Sequence, residues 1–230
     1  MANAEGQWKQ VLMLERLLQA NELIAERLRE RLTDAGVLLI NMLSSPGSGK
    51  TTLLEATVKA LSDKLRVGAI LGDVATERDY ERLSAYGVPA VQIVTGGECH
   101  LEAAMVEQAM HRLPIENLSV VFIENVGNLV CPAEFRLGEH FRVTLLSVPE
   151  GEDKVLKYPH AFRTADAVLI TKVDLLEHVR FNVELAEGYI HSLNPNARVV
   201  KLSALTGYGL DEWLSLLLEW HKDVLQRVEL

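Results

Sequence analysis

Apolar residues in this chain alternate between short unbroken runs and longer periodic stretches. The runs at Val37–Leu43, Val67–Leu71, Ala90–Val94, Val120–Ile123, Val143–Val148, Ala167–Ile170 and Arg198–Leu202 predict strands. Between most of them, Thr51–Ser62, Thr76–Ala85, Leu101–His111, Val179–Ser192 and Asp211–Gln226 have helical spacing. This alternation predicts a three-layer α/β fold with a mostly parallel central sheet and helices on both faces. Ahead of the first strand, Trp8–Arg31 places Val11, Leu12, Leu14, Leu17, Leu18, Leu23, Ile24 and Leu28 on one helical face, with charges opposite. That segment predicts an amphipathic helix docked on the main body. No repeat, low-complexity tract or linker interrupts the rest, so residues 1–34 read as a helical appendage and 35–230 as one domain.

The first strand breaks into Ser44-Ser45-Pro46-Gly47-Ser48-Gly49-Lys50-Thr51-Thr52. A strand, a glycine-bearing loop and Lys-Thr opening a helix form the phosphate cradle of P-loop NTPases. Gly47 and Gly49 allow backbone conformations closed to side chains, so successive N–H groups, Ser48 and Thr52 included, can converge on phosphate. The helix start adds its positive end. Lys50 is expected to neutralise the β and γ phosphates, and Thr51 to offer a hydroxyl to Mg²⁺. Ser44 stands where the usual pattern opens with glycine.

Ligands of parallel α/β sheets bind beyond the carboxyl ends of the strands, and polar residues lie at four of these ends. Asp73 and Glu124 are the expected holders of Mg²⁺, which takes few carboxylates and keeps water. With Lys50 they form the expected catalytic set. Thr171-Lys172-Val173-Asp174 resembles the element by which GTPases select guanine. The Asp174 carboxylate can accept both the N1–H and the 2-amino group, and the Lys172 stem can cover the base. Ser203, Ala204 and Leu205 resemble the last GTPase element, where a backbone N–H meets the guanine carbonyl. Thr171 in place of the commoner Asn is expected to lose an amide that braces the P-loop. No glutamine stands where many regulatory GTPases orient water, which predicts slow hydrolysis, ~10⁻⁴ to 10⁻² s⁻¹ without a partner.

Charge and cysteine usage narrow the class. A net charge of −9 over 230 residues argues against general nucleic-acid or anionic-membrane binding. No apolar stretch reaches the roughly 18 residues of a membrane span, and no signal pattern opens the chain, so the expected location is cytoplasmic. Cys99 and Cys131 are the only cysteines. Cys99 is followed by His100 in a segment expected to open a helix, where a thiolate is favoured. Cys131 lies seven residues beyond Glu124. Two thiolates and an imidazole suit Ni²⁺ or Zn²⁺; buried thiols and a capping histidine are the plainer alternative.

These segments together resemble the HypB family of GTPases, which help deliver nickel during maturation of nickel–iron hydrogenases. The resemblance spans nearly all of residues 35–225. It rests on Ser-Ser-Pro-Gly-Ser-Gly-Lys-Thr-Thr, Gly-Asp-Val-Ala-Thr, Thr-Gly-Gly-Glu-Cys-His-Leu-Glu-Ala, Glu-Asn-Val-Gly-Asn-Leu-Val-Cys-Pro and Gly-Glu-Asp-Lys-Val-Leu-Lys-Tyr-Pro. It implies a GTP-promoted homodimer with a nickel site at the subunit interface from Cys99, His100 and Cys131, and Zn²⁺ as a competitor. It also implies a HypA-type nickel carrier and a hydrogenase large-subunit precursor as partners, and a Lys157 contact to nucleotide across the dimer; Lys154 and Lys157 read otherwise as surface lysines. Some members add an N-terminal cysteine motif or histidine-rich tract; the first cysteine here is Cys99. A related metallochaperone GTPase for urease or a cobalamin enzyme, a P-loop small-molecule kinase and a non-catalytic metal-binding protein are the alternatives. The kinase reading leaves Thr-Lys-Val-Asp unexplained.

Overall fold

The structure, a computed structural model, describes residues 2–73 and 78–228, without the side chains of 2–11, 14 and 78. The side chains of Val11 and Leu14 on the expected apolar face, and the expected helix start at Thr76, therefore lie outside what is described. The strands are β1 (Leu38–Leu43), β2 (Val67–Asp73), β3 (Ala90–Val94), β4 (Val120–Glu124), β5 (Phe141–Ser147), β6 (Ala167–Thr171) and β7 (Arg198–Lys201). They pair in the order β3-β2-β4-β1-β5-β6-β7, and every ladder is parallel. The helices are α1 (Ala2–Asp34), α2 (Lys50–Leu61), α3 (Arg78–Ser84), α4 (Ala103–Met110), α5 (Cys131–Glu134), α6 (Lys154–Lys157), α7 (Pro159–Arg163), α8 (Val183–Leu193) and α9 (Leu210–Val228).

A parallel sheet is covered on both faces, which is why its strands read as apolar runs. Along β1, Leu38, Ile40 and Met42 pack with α2, α3 and α9, while Leu39 faces the layer of α1 and α4. Leu43 and the β6 residues Val168 and Ile170 meet α7 and α8 on that second face. Trp213 of α9 is fully buried and donates its indole N–H to Thr57 Oγ1 of α2 at 3.0 Å. The expected three layers are thus present. Among the described residues no helix is long and apolar enough to cross a membrane.

The first helix docks over only part of its length. Asn21 donates to the Arg136 carbonyl (2.6 Å) and accepts from Ala103 N–H (2.7 Å), and Leu28 and Leu32 enter the core. Leu12, Leu17 and Leu23, expected on a docked face, are 52–63% exposed. A helix of 33 residues spans about 50 Å, and its buried residues, Asn21, Ala25, Leu28 and Leu32, all lie in its second half. His140 fastens its docked end: Nδ1 accepts from Leu39 N–H at 2.9 Å, and Nε2 lies 3.0 Å from Thr33 Oγ1. Burial, then the charges of Arg227 and Arg29, lower its pKa to about 4, so the imidazole is neutral.

Candidate functional site

The cradle follows directly from β1. Gly47 and Gly49 take φ of 76° and 96°, a region that side chains disfavour, and α2 begins at Lys50. The Lys50 ammonium is buried and donates to Ser44 Oγ at 2.7 Å. Ser44, the departure from the usual glycine, therefore supplies an acceptor that holds the lysine. Burial pulls the Lys50 pKa down, opposed by the negative charge of Glu124, Asp79, Glu150 and Asp73. A cavity of about 510 Å³ opens here, lined among others by Gly47, Lys50, Thr51, Asp73, Glu124 and Lys172.

Glu124 ends β4 in this cavity, 5% exposed. Thr51 donates to its Oε1 at 2.7 Å, and its Oε2 is buried with no hydrogen-bond partner. Burial raises the carboxyl to about 7, against the pull of Lys50 and the Thr51 hydrogen bond. A buried carboxylate oxygen lacking a donor, beside a hydroxyl and a second carboxylate at Asp73, fits a hard divalent cation with oxygen ligands such as Mg²⁺. Asp79 and Arg82 of α3 line the same cavity, and the sequence reading missed both. They lie in Thr76–Ala85, a stretch whose spacing predicted only a helix. Arg82 holds Glu55 through Nε (2.9 Å) and Nη2 (2.7 Å), with Thr52 Oγ1 3.2 Å from Nη2.

The second cavity, about 330 Å³, is lined by Ser48, Thr171, Lys172, Asp174, Ser203, Ala204 and Leu205 among others. Lys172 adopts φ +60°, the one positive value among the described non-glycine residues, and its ammonium donates to the Gly47 carbonyl at 2.6 Å. The expected loss of a P-loop brace at Thr171 does not occur: its hydroxyl donates to the Ser48 carbonyl at 2.8 Å. A hydroxyl on the last residue of β6 reaches the loop without the length of an amide. Thr171→Val should leave that buried carbonyl without a donor, at about 1–3 kcal/mol. Nucleotide affinity measured by titration should fall about tenfold, and an unchanged affinity would discount the brace. Ser48 is held on its other side by Glu150, whose Oε2 also accepts from Ser147. Burial pushes the Glu150 carboxyl up, but the hydrogen bonds of Ser48 and Ser147 prevail and hold it low.

Cys99, His100 and Cys131 bring their ligand atoms within 4.8 Å of one another. His100 Nδ1 lies 3.9 Å from Cys99 Sγ, and the ring stacks on Phe135 at 4.1 Å. Two thiols and an imidazole this close can close on one borderline-soft ion. The local reason expected for Cys99 needs correction. Helix α4 starts at Ala103, so Cys99 lies in the loop before it, whereas Cys131 opens the four-residue α5. A hydrogen bond with Cys99, then burial, push the Cys131 thiol up rather than down. Behind α5, the buried Arg142 pairs with Glu139 at 2.7 Å and donates to the Ala133 (2.8 Å) and Phe135 (2.9 Å) carbonyls. Lys157 is exposed and paired with Asp153 at 2.5 Å, and Lys154 with Glu150 at 3.4 Å.

Comparison with known proteins supplies an independent view. A model of the CobW/HypB/UreG nucleotide-binding domain matches residues 37–201. The hydrogenase maturation factor HypB of Escherichia coli strain K12 is 48% identical over 201 residues, 87% of this chain and 69% of the relative. The hydrogenase/urease maturation factor HypB of Helicobacter pylori strain 26695 is 42% identical over 222 residues, 95% of this chain and 91% of the relative. A crystal structure of HypB from Helicobacter pylori in complex with nickel superposes with a TM-score of 0.85 at 41% identity, covering 89% of this chain and 96% of that one.

Proposed function

This chain belongs to the CobW/HypB/UreG nucleotide-binding family, and from that membership we propose that it is a GTP-hydrolysing metallochaperone carrying nickel for hydrogenase maturation. One observation supports the reading above others. The segment that closes the phosphate cavity with Glu124 goes on, seven residues later, to present Cys131 to Cys99 and His100. A nucleotide-sensing strand end and a soft-metal cluster on one short stretch have little use in a plain kinase.

In this reading residues 35–230 form the GTPase domain and residues 1–34 a helical arm. The cradle from Gly47 to Thr52 takes the phosphates, with Lys50 on the β and γ groups. Thr51, Asp73 and Glu124 would hold Mg²⁺, which when bound neutralises charge developing on the phosphate oxygens. Asp174 reads guanine from below the Lys172 stem, and Ser203 to Leu205 close the far edge. Nickel is the cargo, with Zn²⁺ competing for the same donors. Three donors per chain leave a four-coordinate ion incomplete, so a second copy completes it in a GTP-promoted homodimer. There Lys157 exchanges Asp153 for the opposite nucleotide. A HypA-type carrier supplies nickel and a hydrogenase large-subunit precursor receives it. The Helicobacter pylori relative is named for urease as well, so a urease client is the second reading; a deletion strain losing urease rather than hydrogenase activity would favour it.

Phosphate release from GTP and ATP tests the enzymatic half. GTP turnover of ~10⁻⁴ to 10⁻² s⁻¹, with ATP far slower, is expected. Equal use of both, or transfer to a small acceptor, would contradict it.

A further inference from the structure

The loop 125–130 joins the phosphate cavity to the thiolate cluster, and both its ends are fixed. At one end, Asn125 donates through Nδ2 to Asn41 Oδ1 (3.2 Å) and through its backbone to the Met42 carbonyl (3.1 Å). At the other, Arg142 clamps α5 through the Ala133 and Phe135 carbonyls. Between these anchors the loop rests on the P-loop at two points. A Cβ at Gly127 would stand 3.0–3.2 Å from atoms of Pro46, and Asn128 makes an isolated antiparallel bridge with Ser44. Ser44 is the residue whose hydroxyl accepts from Lys50.

The Asn128 side chain then points the other way, into the metal cluster. Its Oδ1 accepts from Val130 N–H at 3.0 Å, and its Nδ2 donates to the Cys99 carbonyl at 3.4 Å. One residue thus has its backbone on the phosphate loop and its side chain on both cysteine segments. We propose that Asn128 is the positioning residue through which occupancy of the phosphate cradle sets the separation of Cys99 and Cys131, and so the affinity for nickel. When phosphate takes Lys50 from Ser44, the Ser44–Asn128 bridge shifts, and the two arms of the amide carry that shift to the thiolates. Energetic coupling of this kind requires an element whose arrangement both ligands bias.

The inference rests on the function proposed above, and one set of titrations separates the two. Nickel affinity is measured by chelator competition for the full chain with GDP and with a non-hydrolysable GTP analogue, in wild type, Asn128→Ala and Asn128→Ser. Serine keeps an acceptor for Val130 N–H but cannot reach the Cys99 carbonyl. Wild type should bind nickel about tenfold more tightly with the analogue, and in both variants that ratio should fall to within about twofold of unity. A structural role alone would lower both affinities and leave the ratio. A wild-type ratio retained in either variant overturns the role of Asn128 and spares the function. A ratio of one in wild type overturns the coupling itself, and the role with it.

Discussion

Asp174→Asn is expected to weaken GTP binding by about 100-fold or more and to turn the base preference toward xanthine nucleotides. The carboxylate lies in the second cavity beside Lys172 and Ser203, where guanine can donate both N1–H and its 2-amino group to it. Each hydrogen bond to a charged acceptor contributes about 1.5–3 kcal/mol. Asparagine keeps one acceptor but opposes the 2-amino group with its own N–H₂, so one bond is lost and a donor faces a donor. Xanthine carries a carbonyl at that position and restores the pair. Competition of GDP and XDP against a fluorescent nucleotide reads the exchange. Unchanged GDP affinity in the variant would remove Asp174 from base recognition.

The second large effect concerns cargo. Cys131→Ala should lower nickel affinity by more than about 100-fold, since loss of a ligand ought to exceed the 10–100-fold typical of its outer-shell partners. The cluster has three donors within 4.8 Å, and no other group of three histidine, cysteine or acidic side chains with metal-holding geometry occurs among the described residues. The raised Cys131 thiol adds a pH signature. A protonated thiol must release its proton to bind, so affinity should climb from pH 6 to pH 8, and calorimetric enthalpies should vary with the ionisation enthalpy of the buffer. Full nickel retention by Cys131→Ala would move the cargo site elsewhere.

Much of this molecule was legible because its signals are local or periodic. Each of the seven apolar runs became a strand, and the cradle needed only the spacing of glycines, lysine and threonine. Helices α5, α6 and α7, of four or five residues, are too short to show a period. Strand order was beyond reach for another reason: it is set by which distant runs pair, and parallel runs of Val, Ile and Leu look alike. The polar links went unread on the same ground. Asn41, Glu139 and Arg142 read as isolated polar residues in or beside apolar runs until the fold brings them together behind α5. The contribution of Thr171 depended on a separation of 2.8 Å to a carbonyl 123 residues away. Cys99 was misjudged because its loop, 95–102, turns before α4 begins.

In the proposed function the nucleotide pocket and the metal site act on each other. Glu124, Asn125, Asn128 and Cys131 lie on one stretch whose two ends are fastened and whose middle touches the P-loop. On this proposal, a phosphate that repositions Lys50 and Glu124 would act on that stretch directly. The decisive measurement is the metal content of each species separated by size after loading with Ni²⁺ and either GDP or a non-hydrolysable GTP analogue. The account predicts a dimer with the analogue that carries nickel at a stoichiometry set by paired chains, and a largely metal-poor monomer with GDP. Equal nickel in both states, or nickel confined to monomer, would contradict it.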